Sequence, residues 1–191
     1  MPEPRPLRAD ARRNRDRLLA VAAEAFAADG ADASLDAIAR RAGVGSGTLY
    51  RHFPTREALI RAVYWARVEQ VRARGDELRA ADDPVSALAE WLRLLAGLST
   101  RDGVTATLLF GESQWPQGFA DECHALIHAA GVPLLDRARD ALRPGVTLDD
   151  LHALVHGIAT ASSTAPAPLD RADRLLALVL DGLRARPAEK G

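Results

Sequence analysis

The stretch Ser34 to Phe53, SLDAIARRAGVGSGTLYRHF, decides how this chain folds. Ser34 is a good N-cap for a short helix reaching about Arg41. Gly43 then supplies a turn residue for which positive φ costs little. A second short helix follows from about Ser46 to His52. Ala39 is small where the two helices cross, and Ile38, Val44 and Leu49 are apolar and lock the second helix against the first. The pattern predicts a helix-turn-helix. It leaves Ser46, Gly47, Thr48, Tyr50, Arg51 and His52 on the outer side of the second helix. Short hydrogen-bonding groups, an aromatic hydroxyl and a cation suit a DNA major groove. The same spacing also fits an ordinary corner between two helices.

Working outward, helical periodicity continues in both directions. Upstream, Leu18, Val21, Ala22 and Ala25 follow three-four spacing until Asp29-Gly30 stops the helix. Downstream, Pro54 breaks the chain and Thr55 caps a long helix past Leu59, Val63 and Val68 to about Arg79. Asp82-Asp83-Pro84 opens the next helix, with proline at its favoured first position. A short segment is expected over Val104–Phe110. The helix begun near Phe119 is expected to kink or split at Gly131-Val132-Pro133 and to resume from Leu134 to Leu142. Thr147 and Asp150 form an approximate capping box. A last helix is expected from about Asp170 to Arg186. The fold class is therefore all-α, with about nine helices and no sheet. The expected divisions are a flexible arginine-rich arm (1–14), a helix-turn-helix domain (15–54), a linking helix (55–79) and a C-terminal domain (80–191).

Composition agrees with a folded chain. Of 191 residues, 48% are hydrophobic and 27% charged, enough to bury a core. The net charge of −1 speaks against nucleic acid until the chain is divided. Residues 1–67 hold 12 arginines against 8 acidic residues, an excess of four positive charges. Residues 68–191 hold 13 basic and 18 acidic residues, an excess of five negative charges. A basic head joined to an acidic body removes that objection, although the positive excess is modest. Arg5–Arg17 alone carries six arginines, either a solvated tail or an arm along the phosphate backbone. The single cysteine, Cys123, excludes an internal disulfide, and no signal-like or 18-residue apolar run is present, so a cytoplasmic protein without a membrane partner is expected.

The stretch around the turn resembles the DNA-binding signature of the tetracycline-repressor (TetR/AcrR) family of bacterial transcriptional regulators. The matching positions are Ala42, Gly43, Val44, Gly47, Thr48, Leu49, Tyr50, Phe53, Arg56 and Leu59. The resemblance covers about Arg15 to Arg67. Two positions depart from it: Arg56 stands where the family often has lysine, and Gly45 where many members carry a hydroxyl. The resemblance implies that Thr48, Tyr50 and His52 contact DNA, with Ser34, Ser46, Arg51 and Arg56 on phosphates or groove edges. It implies a homodimer on a pseudo-palindromic operator, acting as a repressor released by a small-molecule effector. An activator, or a metal-responsive regulator of the same fold, is the alternative. It also implies a ligand pocket among the middle helices, for which Trp65, Trp91, Leu95, Leu109, Phe110, Trp115, Phe119, Cys123, His124, Ile127 and His128 are candidates, unless they are simply core. For the dimer interface the candidates are Leu151, Leu154, Val155, Ile158, Leu176, Val179, Leu180 and Leu183, which could equally be intramolecular core.

The histidines need separate weighing. His124/His128 and His152/His156 are each four apart and share a helix face. No zinc-binding motif such as Cys-x-x-Cys or His-Glu-x-x-His occurs, and polar lining or interface hydrogen bonding is the expected role, so no metal site and no cofactor are predicted. A nucleophile elbow, a P-loop and a dinucleotide fingerprint are all missing, which argues against an enzyme. A helical adaptor with a degenerate motif is disfavoured, because Thr48, Tyr50, Arg51 and His52 are intact.

Overall fold

In the computed structural model, residues 5–100 and 118–185 are described. Among them are eight α-helices, two short 3-10 turns and no β-strand. The helices are α1 (Arg5–Asp29), α2 (Leu35–Arg41), α3 (Ser46–His52), α4 (Arg56–Leu78), α5 (Pro84–Thr100), α6 (Phe119–Ala138), α7 (Leu148–Ser162) and α8 (Pro168–Leu183). The segment expected over 104–110 lies outside the described residues. The described chain divides into two compact units, 5–66 and 67–100 with 118–185, and the division falls inside α4.

In place of the flexible arm expected over residues 1–14, α1 begins at Arg5. From Leu7 onward the segment has neither glycine nor proline and is rich in alanine, arginine and leucine, all strong helix formers. Arg13 pairs with Asp10, and Arg17 donates to Asn14 Oδ1 at 2.6 Å, each one turn away.

The first unit packs α1–α3 and the start of α4 around Leu18, Phe26, Ile38, Leu49 and Leu59, all fully buried. Its turns are closed by the groups the sequence provides. Ser34 Oγ accepts from Ala37 N at 3.3 Å to cap α2, and Thr55 Oγ1 accepts from Ala58 N at 3.1 Å to cap α4. The end of α2 is a Schellman motif: Gly43 N donates to Arg40 O and Val44 N to Ala39 O, both at 3.0 Å. Gly43 sits there at φ +69°, the left-handed conformation this motif requires.

The second unit is centred on Trp91, which has no exposed surface. Its Nε1 donates to Val71 O at 3.2 Å, so the indole N–H is satisfied in the core. The ring lies against two glycines. A Cβ at Gly75 would come within 2.9 Å of Trp91 Nε1, and one at Gly131 within 2.5 Å of Trp91 Cη2. The expected break at Gly131-Val132-Pro133 does not split the helix. Gly131 is there to admit the indole, and α6 runs unbroken from Phe119 to Ala138 with Pro133 inside it. The helix ends before Leu142, in a 3-10 turn over Arg139–Ala141. Arg74 bridges α4 to α5 through Glu90 Oε1 at 2.7 and 3.0 Å. Arg137 Nη2 donates to Ala81 O at 2.6 Å, just beyond the C-terminus of α4. Asp83 caps α5, accepting from Val85 N at 3.0 Å, and Thr147 and Asp150 cap α7 reciprocally.

Candidate nucleic-acid interface

Helix α3 has seven residues, and only Leu49 is buried. Leu49 holds the helix to the core of the first unit, and everything else on it is available at the surface. Ser46, Gly47, Tyr50 and Arg51 are exposed, while Thr48 and His52 are half-buried. Tyr50 is 47% exposed, a large aromatic side chain turned outward on a short helix. His52 packs obliquely on Phe53, with ring centroids 6.2 Å apart. Phe53 in turn carries Arg15 over its ring, at 5.7 Å from the centroid.

Three of the expected contact residues also have work inside the fold. Ser46 Oγ donates to Asp36 Oδ1 at 2.7 Å, joining the start of α3 to α2. Ser34 is exposed and caps α2. Arg56 Nη1 donates to Ala33 O at 2.7 Å, which ties the start of α4 to the turn before α2. Sequence reasoning assigned this arginine to phosphate and missed its backbone partner. Arg41 and Glu24 form a further ion pair at 2.8 Å between α2 and α1.

In the second unit, the residues expected to line a pocket separate. Trp91, Leu95, Cys123 and Ile127 are buried in the core. Burial pushes the Cys123 thiol up to about 11. Trp65, on the part of α4 in the first unit, is half-buried, as is Phe119 at the start of α6. Leu109, Phe110 and Trp115 lie outside the described residues. The grooves seen in this unit have other linings; one is formed by Gln70, Arg74 and Glu90 together with Leu94, Leu98 and Leu169.

The residues expected at a dimer interface divide by burial. Leu151, Val155, Ile158, Leu176 and Leu180 are buried within the single chain, because the stripe chosen from the sequence is the one that packs inward. Val179 and Leu183 are half-buried. Leu154, 39% exposed, lies on the outward side, and Ile158, though buried, reaches the shallow groove there. That groove is lined by Asp150, Ala153, Leu154, Gly157, Ile158, Ala161 and Leu175, with Leu178 on α8 69% exposed. The missed signal was the second apolar stripe, in which Ala153, Gly157 and Ala161 recur every four residues.

The two histidine pairs are not independent. Helices α6 and α7 bring His152 onto the His124–His128 face. Ring centroids are 4.3 Å apart for His124 and His128 and 5.2 Å apart for His124 and His152. Asp149 Oδ1 stands 2.9 Å from His128 Nε2. Burial, and then the neighbouring imidazoles, lower the pKa of His152.

A basic all-α head that offers a nearly bare short helix, on the same chain as a second helical unit, defines a helix-turn-helix transcriptional regulator. Residues 18–63 match the bacterial regulatory proteins of the tetR family, and residues 83–185 match the C-terminal domain of SbtR-like transcriptional regulators. The chain is 40% identical to the TetR transcriptional regulator SCO0520 from Streptomyces coelicolor, over 91% of this chain and 99% of that one, with a TM-score of 0.76. It is 36% identical to a TetR transcription regulatory protein from Mycobacterium vanbaalenii, over 94% of this chain and 100% of that one, with a TM-score of 0.72. It is also 43% identical over 60 residues to the uncharacterized HTH-type transcriptional regulator TtgW of Pseudomonas putida. That match spans 31% of this chain and 45% of TtgW, less than half of that relative's length. The chain belongs to the TetR family of DNA-binding transcriptional regulators.

Proposed function

We propose that the protein is a ligand-responsive repressor that acts in the cytoplasm, where a homodimer places two copies of α3 in successive major grooves of a pseudo-palindromic operator. The observation that carries this reading is the exposure of α3, in which Leu49 alone is buried. Thr48, Tyr50 and His52 then read base edges and methyl groups, and Arg51 neutralises phosphate. Ser34 and Ser46, exposed at the N-termini of α2 and α3, contact the sugar-phosphate backbone. Gly47 allows close approach. Arg56 acts chiefly as a positioning residue, through Ala33.

One short helix reads few base pairs, so specificity requires two heads on half-sites about 34–36 Å apart. The face formed by Ala153, Leu154, Gly157, Ala161, Leu175 and Leu178 supports the dimer: small residues allow two α7 helices to approach closely, and the exposed leucines give an apolar seam. A small-molecule effector bound in the second unit shifts the population toward a head spacing that no longer fits the operator. Helix α4, which belongs to both units, carries that shift.

The test is fluorescence anisotropy with duplex DNA from the region upstream of the protein's own gene. Wild type is expected to bind in a salt-sensitive, sequence-specific manner. Thr48→Ala with Tyr50→Ala is expected to lose at least about tenfold in affinity, at about 1–3 kcal/mol per base contact, with an unchanged far-UV CD spectrum. Equal binding to scrambled DNA, or no effect of the double substitution, would remove α3 from the reading role.

A further inference from the structure

We propose that His124, His128 and His152, with Asp149 as the fourth donor, form a binding site for a divalent first-row transition metal ion of the zinc type. The site goes beyond the repressor reading, and metal uptake can be measured without DNA. Its basis is convergence from two helices. His124 and His128 lie one turn apart on α6, and Asp149 and His152 lie one turn apart on α7. One ligand atom from each histidine lies within 4.8 Å of those from the other two.

A tetrahedral zinc ion with Zn–N bonds of about 2.0–2.1 Å needs donors roughly 3.3 Å apart. The imidazoles therefore close by about an ångström or less each, which side-chain rotation supplies. His124 is exposed, and His128 and His152 are half-buried, so the rings have room to turn. His128 gives the second, independent observation. Its Nε2 is buried and makes no hydrogen bond, one of two such side-chain atoms among the described residues. Asp149 Oδ1 is 2.9 Å away, near enough for an ion pair but out of line for hydrogen bonding. A metal ion shared between this nitrogen and the carboxylate satisfies both.

The donor set also selects the ion. Three imidazoles and one carboxylate suit Zn²⁺, Co²⁺, Ni²⁺ or Cu²⁺, whereas Mg²⁺ and Ca²⁺ prefer all-oxygen cages. Cys123 stands next to His124 in sequence but is buried with a raised pKa, so it is not counted as a donor.

The experiment uses the full chain with any affinity tag removed. Co²⁺ is titrated in and followed by visible absorption, and Zn²⁺ by calorimetry and by the shift in thermal midpoint. The expected result is one ion per chain, a visible Co²⁺ band that Zn²⁺ bleaches, and a raised midpoint with Zn²⁺. His124→Ala, at an exposed position that tolerates truncation, is expected to weaken Zn²⁺ at least tenfold, as is His152→Ala. Asp149→Asn is expected to weaken it less, and His52→Ala not at all. The proposal is overturned if wild type takes up no ion above buffer, or if His124→Ala and His152→Ala bind as wild type does.

Discussion

Arg56 shows how one side chain can be assigned two different roles. As a phosphate contact it would contribute to binding and its salt dependence; as the donor to Ala33 O it holds α4 to the turn before α2. A charge-assisted hydrogen bond to a backbone carbonyl contributes roughly 1.5–3 kcal/mol. Arg56→Ala is therefore expected to lower the urea midpoint by an amount equivalent to about 2 kcal/mol. The slope of log affinity against log salt should stay the same, while Arg51→Ala reduces it by about 0.9 per protomer. A reduced slope in Arg56→Ala would return the residue to the phosphate backbone. Cys123 gives a second measurement at this scale. With its pKa raised to about 11 by burial, almost no thiolate exists at pH 8, and the sulfur is covered as well. A thiol reagent is expected to react slowly with the native protein and at once after denaturation. Rapid stoichiometric reaction of the native chain would place Cys123 at the surface.

At the level of elements, capping and turn chemistry was legible in the sequence. Ser34, Gly43, Thr55, Asp83-Pro84 and the Thr147–Asp150 box all do locally what their residue types dictate, because each depends on neighbours within five positions. The misreadings share a different cause. That Gly131 serves packing is decided by Trp91, forty residues away, whose ring fills the space a Cβ would take. Which stripe of α7 faces inward depends on α5 and α8, and the two histidine pairs join only because α6 packs on α7. In each case the deciding partner lies on another helix, and a helix apolar on two faces gives no local sign of which face is core. The glycines around Trp91 turn this into a prediction. Gly→Ala in a helix normally gains up to about 1 kcal/mol. At Gly131 the new methyl would meet Trp91 Cη2 at 2.5 Å and Leu148 Cδ2 at 2.9 Å, so overpacking outweighs that gain. Gly131→Ala is expected to destabilise by about 1–3 kcal/mol in urea unfolding. Gly97→Ala on α5, with no described neighbour within 4 Å of the new carbon, should be neutral or slightly stabilising. A stable Gly131→Ala would mean that the indole does not occupy the notch.

For the whole molecule, the near-zero net charge conceals a head with four excess positive charges and a remainder with five excess negative ones. Four charges per head are few for DNA binding, and the proposed dimer would make up the affinity by using two heads at once. In that dimer, once the first head is seated, the second would bind at a local concentration of the order of millimolar, multiplying affinity by roughly 10²–10⁴ without any new contact. The outward face of α7 and α8 is where this gain can be removed without touching DNA. Leu178 is 69% exposed in the single chain, so Leu178→Arg costs the isolated fold little. In a dimer formed through this face, it would bury two guanidinium groups in an apolar seam, and an unpaired buried charge is strongly unfavourable. Light scattering is expected to give twice the 20.5 kDa chain mass for wild type and the single mass for Leu178→Arg, with the same helical CD signal. Operator affinity should fall at least about a hundredfold in that variant, although α3 is unaltered. Leu176→Ala, buried in the chain, should instead reduce stability by about 2–5 kcal/mol with the dimer mass retained where the protein is folded. If Leu178→Arg remains a dimer, the interface lies elsewhere. If it is monomeric yet binds operator at full strength, one head suffices and the two-head mechanism fails.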